Sequence, residues 1–198
     1  MFITFEGVDG SGKSTQARLL AEHLGVEGRD VAATREPGGT KLGERVREIL
    51  LGGDAVAPWA EAALFAAARA QLVTEVIRPA LDRGADVVCD RYLDSSLAYQ
   101  GLARGLGVER VLELNLLVID GLLPDRTFLL LVPLDQAAVR RGSDPDRIER
   151  EGDEFVARVD SAYRELAGIF AQRIVTVDAT QPPQEVAELI RGHIRDLS

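Results

Sequence analysis

Residues 7–14 read GVDGSGKS, set between the apolar run FITFE (2–6) and the segment STQARLLAEHLG (14–25), whose apolar residues recur every three to four positions. The stretch fits G-x-x-x-x-G-K-[ST] from Gly7 to Ser14, with strand-like and helix-like sequence on the two sides the motif requires. Glycine lets backbone N–H groups curl around phosphate oxygens, and the N-terminus of the following helix adds the positive end of its dipole. Gly7, Val8, Asp9, Gly10, Ser11, Gly12, Lys13, Ser14 and Thr15 are therefore expected to hold a nucleoside triphosphate, with ATP the expected one. Lys13 would reach the β- and γ-phosphates, and Ser14 would offer its hydroxyl to Mg2+. Kinases, ATPases and GTP-dependent switches all use such a loop, so it fixes a ligand class and leaves the reaction open. The guanine-selecting N-K-x-D pattern does not occur in the chain, which weighs against a GTP switch.

Outward from this loop, short β-rich runs alternate with longer segments of helical spacing. FITFE (2–6), DVAATRE (30–36), ADVVCDR (85–91), TFLLLV (127–132) and IVTVDA (174–179) read as five strands. Helices are predicted over 14–25, 41–52, 59–81, 110–121 and 154–171, with stops at Gly25, Gly52 and Gly121, and a last helix starts at Pro182 or Pro183. Apolar strands alternating with helices imply an α/β fold: a three-layer P-loop architecture with a five-stranded parallel sheet flanked by helices. No repeat, low-complexity tract or linker divides the chain, so residues 1–198 are expected to form a single domain. Ligands of such sheets bind beyond the carboxyl ends of the strands.

Composition narrows the function classes. A net charge of −9 argues against a broad nucleic-acid surface, which works by Lys/Arg neutralisation of phosphates. The only cysteine, Cys89, excludes an internal disulfide and is expected to be a buried apolar filler. No apolar run approaches the roughly 18 residues of a membrane span, and MFITFEG lacks a signal-peptide pattern, so a cytoplasmic location is expected. Trp59 is expected to be a core residue.

A second phosphate-bearing ligand is indicated by three stretches: TREPGG (34–39), LFAAAR (64–69) and DRYLDSSLAYQG (90–101). Phe65 and Arg69 stand four apart, so a helix would present an aromatic plane and a guanidinium from one face, a pair suited to a nucleobase. Asp90 and Arg91 close a predicted strand, where an aspartate can hold Mg2+ or its waters and an arginine can bridge the phosphates of two nucleotides.

GVDGSGKST, TREPGGT, LFAAARAQ, DRYLDSSLAYQG, the arginine-rich segment ending DRIE, AYRELA and VDAT, in order from about residue 1 to about 180, together resemble the thymidylate kinases, P-loop enzymes that phosphorylate dTMP. The resemblance implies that Asp9 contacts the acceptor sugar and that Glu36 and Arg47 make further acceptor contacts. It also implies that Phe65 stacks on thymine, Arg69 bonds its carbonyl edge, Arg91 binds its phosphate, and Ser96, Tyr99 and Gln100 complete the pocket. Tyr99 would stand where a ribose 2′-hydroxyl would otherwise fit, and residues 178–180 would border the adenine. A homodimer is implied as well.

Members of this family carry a catalytic arginine either in the P-loop or in a lid. Gly10 and Ser11 follow Asp9 here, so the lid, about residues 140–154, must supply it from Arg140, Arg141 or Arg147. Arg141 is favoured, then Arg147, and the lid's SDP insertion departs from the family's usual spacing. No catalytic histidine is needed, and His23 and His193 read as surface or packing residues. The catalytic group is then Lys13, Arg91, Asp9 and a lid arginine, with Ser14 and Asp90 toward the metal.

Overall fold

The computed structural model describes residues 1–141 and 146–197. Five parallel strands, β1 (Phe2–Glu6), β2 (Val31–Arg35), β3 (Asp86–Asp90), β4 (Arg126–Leu131) and β5 (Ile174–Asp178), lie in the order β2-β3-β1-β4-β5. Each falls within the run predicted for it, apart from one added residue at the start of β4. The connection from β1 leads to β2 on one side of the sheet and the connection from β3 crosses to β4 on the other, so β1 is central, with β3 and β4 beside it. The register pairs Phe5 with Asp90. The loop after β1 and the residues after β3 consequently emerge side by side, at the crevice where such sheets bind ligands.

Alternation along β1 divides the core. Ile3 and Phe5 face a layer built from α1 (Lys13–Val26) and α9 (Pro183–Ile194), together with Phe128 and Leu130 of β4. Phe2 points the other way, into a larger cluster with Val87, Cys89 and Leu129. By the same period of two, Glu6 projects on the Phe2 side. That second layer comprises α3 (Pro58–Leu72), which runs through a π-helical stretch (Val73–Ile77) into α4 (Arg78–Asp82), then α6 (Val108–Val118) and α8 (Asp153–Ile169). Outside the sheet's edge, α2 (Lys41–Leu51) packs on α3 and is capped by Thr40, whose hydroxyl accepts the Gly43 N–H at 2.9 Å.

Two helical stretches differ from the sequence reading. α5 (Leu93–Ser96) widens into a π-helical stretch (Leu97–Ala103), and α7 (Leu134–Arg140) follows β4. Gly25 does not stop α1, which continues to Val26; the chain turns instead at Gly28, in the left-handed region at φ 82°. Trp59 is not core: it is 38% exposed, with the Arg110 guanidinium 4.6 Å from its ring centroid. Its position in the first turn of α3 leaves it at the rim of the helix layer, and the cation covers one face. Cys89 is buried, and burial pushes its thiol well above the ordinary range. Among the described residues no helix is long and apolar enough to cross a membrane. Of the expected lid, 140–141 and 146–154 are described, ending in a single 3-10 turn (Glu149–Glu151) before α8; the SDP residues 143–145 lie outside the described residues.

Candidate active site

The loop Gly7–Ser14 turns out of β1 with Gly7, Gly10 and Gly12 at φ 138°, 85° and 99°. A Cβ on Gly10 would stand 2.1 Å from the carbonyl oxygen of Ala137 on α7, so only glycine lets the loop pass under that helix. The loop enters α1 without a side-chain cap. Lys13 is 5% exposed; its Nζ donates to Val8 O at 2.9 Å and stands 3.5 Å from Asp9 Oδ1. Burial and the neighbouring Arg91 pull the ammonium below its usual range, against Asp9, Asp90 and Glu6. A buried ammonium curled back on its own loop is placed to turn toward an incoming anion.

Across the crevice, Ser14 Oγ donates to Asp90 Oδ2 at 2.5 Å, while Asp90 Oδ1 is buried with no hydrogen-bond partner. A buried carboxylate oxygen without a donor beside a hydroxyl suits a hard cation, which takes oxygen ligands. The oxygen donors of those two residues fit a cation such as Mg2+.

Arg91 follows Asp90 with φ 69°, in the left-handed region that is costly for a side chain with a Cβ. Its backbone N–H completes the sheet on Phe5 O at 2.9 Å. Nη2 donates to Asp9 Oδ1 at 2.5 Å, and Nη1 reaches Gly7 O, Ser95 Oγ and Tyr163 Oη, each at 3.2 Å. Burial pushes the Asp9 carboxyl up, but Arg91 and Lys13 outweigh it and hold the group well below the usual carboxylate range.

Glu6 sets the polarity of that cluster. Fully buried at the end of β1, it accepts from Tyr92 N (2.8 Å) and Ser95 N (3.2 Å) on one oxygen and from Ser95 Oγ (2.6 Å) and Tyr163 Oη (2.9 Å) on the other. When Glu6 is ionised both hydroxyl protons go to the carboxylate, and both hydroxyl oxygens are left to accept from Arg91. Burial, with Asp94 adding to it, pushes the Glu6 carboxyl up to about 7 despite Arg91 and these donors.

The residues expected on the acceptor side gather beyond Arg91. Glu36, Arg47, Phe65, Ser96, Tyr99 and Gln100 line one narrow recess together with Asp9 and Arg91. Tyr99 and Gln100 reach it from the π-helical stretch, whose wider turn is a frequent device at functional sites. The Arg91 guanidinium sits 5.4 Å from the Tyr99 ring centroid, and Arg47 donates to Pro37 O at 3.0 Å.

Arg69 differs from the expectation of a guanidinium presented beside the Phe65 ring. It is 1% exposed and spends its donors on Glu36 Oε2 (2.6 and 2.8 Å), Ser96 Oγ (3.1 Å), Tyr92 O (3.0 Å) and Asn115 Oδ1. A buried carboxylate draws the cation inward, behind the recess wall, and Glu36 Oε1 is left without a partner. Burial pushes the Glu36 carboxyl up, against the pull of Arg69.

The expected lid arginines part company. Arg140 donates to Ala179 O at 3.0 Å and lines the far end of the loop's cleft. Arg141 lines a small hollow with Asp9, Val8 and Tyr99, beside the loop. Arg147 is anchored instead: Nε donates to Leu50 O at 2.7 Å and Nη2 to Glu61 Oε2 at 2.5 Å. Among residues 178–180, Asp178 Oδ1 accepts from Thr180 N and Oγ1, which presents Ala179 to the cleft. Sequence reasoning missed Glu6, Glu61, Ser95 and Tyr163. AYRELA and DRYLDSS held two of them within stretches already marked, but no spacing rule ties them to Glu6.

The loop's cleft, about 580 Å3, runs from Ala179, Pro183 and Val186 over the glycine loop to Arg35. It shares Asp9, Glu36, Arg47 and Arg91 with the narrower recess. A phosphate-loop cleft that opens onto a second, arginine-lined recess defines a P-loop nucleotide kinase. The thymidylate kinase family model matches residues 5–190. Thymidylate kinases of Leifsonia xyli and Clavibacter michiganensis are 54% and 52% identical, covering 96% and 100% of this chain and 92% and 95% of their own lengths. The crystal structure of thymidylate kinase from Ehrlichia chaffeensis superposes with a TM-score of 0.80 at 35% identity, covering 98% of each chain. The chain belongs to the thymidylate kinase family, whose members are nucleoside monophosphate kinases.

Proposed function

We propose that the chain acts as one catalytic domain that transfers the γ-phosphoryl group of ATP to dTMP, giving dTDP and ADP, in the cytoplasm as part of dTTP synthesis. The observation that carries the site assignment is the meeting of two recesses at Asp9, Glu36, Arg47 and Arg91. ATP lies in the larger cleft with its adenine toward residues 178–180 and Arg140, and its phosphates within Gly7–Thr15. The acceptor occupies the narrower recess, with thymine on Phe65 and its polar edge toward Ser96, Gln100 and, behind them, Arg69. Tyr99 closes the space a 2′-hydroxyl would need, and Asp9 and Glu36 face the sugar.

The attacking atom is a phosphate oxygen of dTMP. A phosphate monoester has a second pKa of about 6, so that oxygen is ionised near neutral pH without a base. It bonds to the γ-phosphorus as the bond to the β–γ bridging oxygen breaks, and ADP departs with that electron pair. Arg91 exchanges part of its contact with Asp9 for the acceptor phosphate, which holds the attacking oxygen in line. Lys13 turns from Val8 O to the transferred group, and Arg141 approaches from the hollow beside Asp9. Ser14 and Asp90 would hold Mg2+, which supplies charge neutralisation on the β- and γ-oxygens when bound. Residues 140–154, as a lid, would keep water from the transferred group.

The homodimer expectation finds support in Trp59 and Leu117, 38% and 80% exposed on the mutually packed α3 and α6; light scattering at twice the chain mass would bear it out. The reaction itself is tested with γ-labelled ATP: label should pass to dTDP. Label found only in inorganic phosphate would sink the transfer reading.

A further inference from the structure

Glu61, in the first turn of α3, is completely buried and joins three segments that are distant in sequence. Its Oε1 accepts from Gln100 Nε2 at 2.8 Å and from Arg104 Nε at 2.6 Å; its Oε2 accepts from Arg104 Nη2 at 3.0 Å and from Arg147 Nη2 at 2.5 Å. Arg104 also bonds Glu151 Oε1 at 2.9 Å, so two carboxylates and two guanidiniums close a neutral cluster. Arg147 carries the cluster to the end of α2, where its backbone N–H and Nε donate to Leu51 O (3.2 Å) and Leu50 O (2.7 Å). Burial pushes the Glu61 carboxyl up, but the bonds from Arg104, Arg147 and Gln100 outweigh it and hold the group below its ordinary range.

Two walls of the acceptor recess depend on this one carboxylate. Gln100 lines the recess from the π-helical stretch; Leu51, Asp146 and Ile148, from the end of α2 and segment 146–151, line it too. A carboxylate can only accept, so the Gln100 amide must present its nitrogen to Glu61, leaving its oxygen and one N–H for a ligand. The same carboxylate holds Arg147 and therefore the backbone of segment 146–151 at the recess rim. Neither Glu61 nor Arg104 lines the recess, so any effect they have on a ligand passes through those neighbours.

We propose that Glu61 is a positioning residue for the acceptor: it fixes the Gln100 amide for the base edge and ties segment 146–151 to the recess, so acceptor binding and the ordering of that segment are coupled. This rests on the assignment of the recess to the acceptor nucleotide. A base that engages Gln100 stiffens the Glu61 cluster, and the stiffened cluster holds the segment in place. The coupling is reciprocal, so loosening the segment must weaken the acceptor.

The test uses the full chain with Glu61→Gln and, because a buried cluster can fail to fold when cut at its centre, Arg147→Met as a second variant. Acceptor and ATP are varied separately in steady state, and hydrogen exchange of amides 146–151 is followed with and without acceptor. Each variant should raise the acceptor KM by about tenfold, the scale of one charged hydrogen bond, with kcat and the ATP KM little changed. Protection of amides 146–151 by the acceptor should shrink in parallel, and Glu61→Gln should cost less in an Arg147→Met background than alone. An unchanged acceptor KM, or an equal rise for ATP, overturns the coupling. The wild-type choice among acceptors tests the recess assignment separately, because the variant-to-wild-type ratio is read with whichever nucleotide the wild type accepts.

Discussion

Arg91 Nη2 and Asp9 Oδ1 stand 2.5 Å apart at the seam of the two recesses, and each residue lines both. The pair keeps the guanidinium aimed where an acceptor phosphate would meet a donor. Arg91→Ala should lower kcat by about 10²–10³-fold, the scale of losing one charge-stabilising donor, with the circular dichroism spectrum unchanged. A kcat within a factor of about three of wild type would remove Arg91 from the transfer step.

Backbone strain at Arg91 gives a prediction about stability rather than rate. Its φ of 69° costs a residue with a Cβ about 1–2 kcal/mol and glycine almost nothing. Arg91→Gly should therefore unfold at higher urea concentration than Arg91→Ala, by about 1 kcal/mol after the added chain entropy of glycine. Equal midpoints would mean that the loop relaxes once the side chain is gone.

The lid arginines should separate by kinetic parameter. Arg141, beside Asp9 and Tyr99, should on replacement by alanine lower kcat with little change in the dTMP KM, whereas Arg147→Ala should act mainly on KM through Glu61 and Leu50. The reverse pattern would make Arg147 the residue that reaches the transferred group.

Glu6 supplies the pH dependence. Its folded value, about 7, lies above the ordinary 4.5, so the native state holds this proton more tightly than the unfolded chain does. Its contribution to stability is greatest below about pH 4.5, falls as pH rises toward about 7, and is level above that. Glu6→Gln carries no titrating group, so the stability of wild type relative to the variant should decline between pH 5 and 7 in urea titrations, by about the width of that shift. A difference that is flat over this window would contradict the shift.

Much of the fold was legible because it rests on local pattern. Each strand was an apolar run, closed by a polar residue in all but β4, which runs on into Val132, and the register of β1 with β3 puts Asp90 and Arg91 beside the loop that the motif had already marked. Residues 93–103 escaped because a π-helical turn breaks the repeat of three to four, and α7 because seven residues are too few to show one. Of the recess residues, Phe65 and Arg91 were singled out by helix spacing and a strand end, and the others through the family's motifs. Glu6 and Glu61 were not legible at all: one reads as the end of a strand and the other as an acid in a helix's first turn. Their meaning lies in partners 89 and 157 residues away for Glu6, and 39, 43 and 86 away for Glu61. Arg69 was legible as a residue that matters, but its inward turn depends on Glu36, 33 residues earlier.

The most direct measurement is ADP release from ATP and Mg2+ with dTMP, dUMP, dCMP, AMP, GMP and thymidine offered separately to the purified protein. The account predicts strong turnover with dTMP and weaker turnover with dUMP, since one methyl group is worth about 1–3 kcal/mol in a pocket, and almost none with the others. Turnover favouring a different acceptor, or none with any, would contradict the roles given to Phe65, Tyr99 and Gln100.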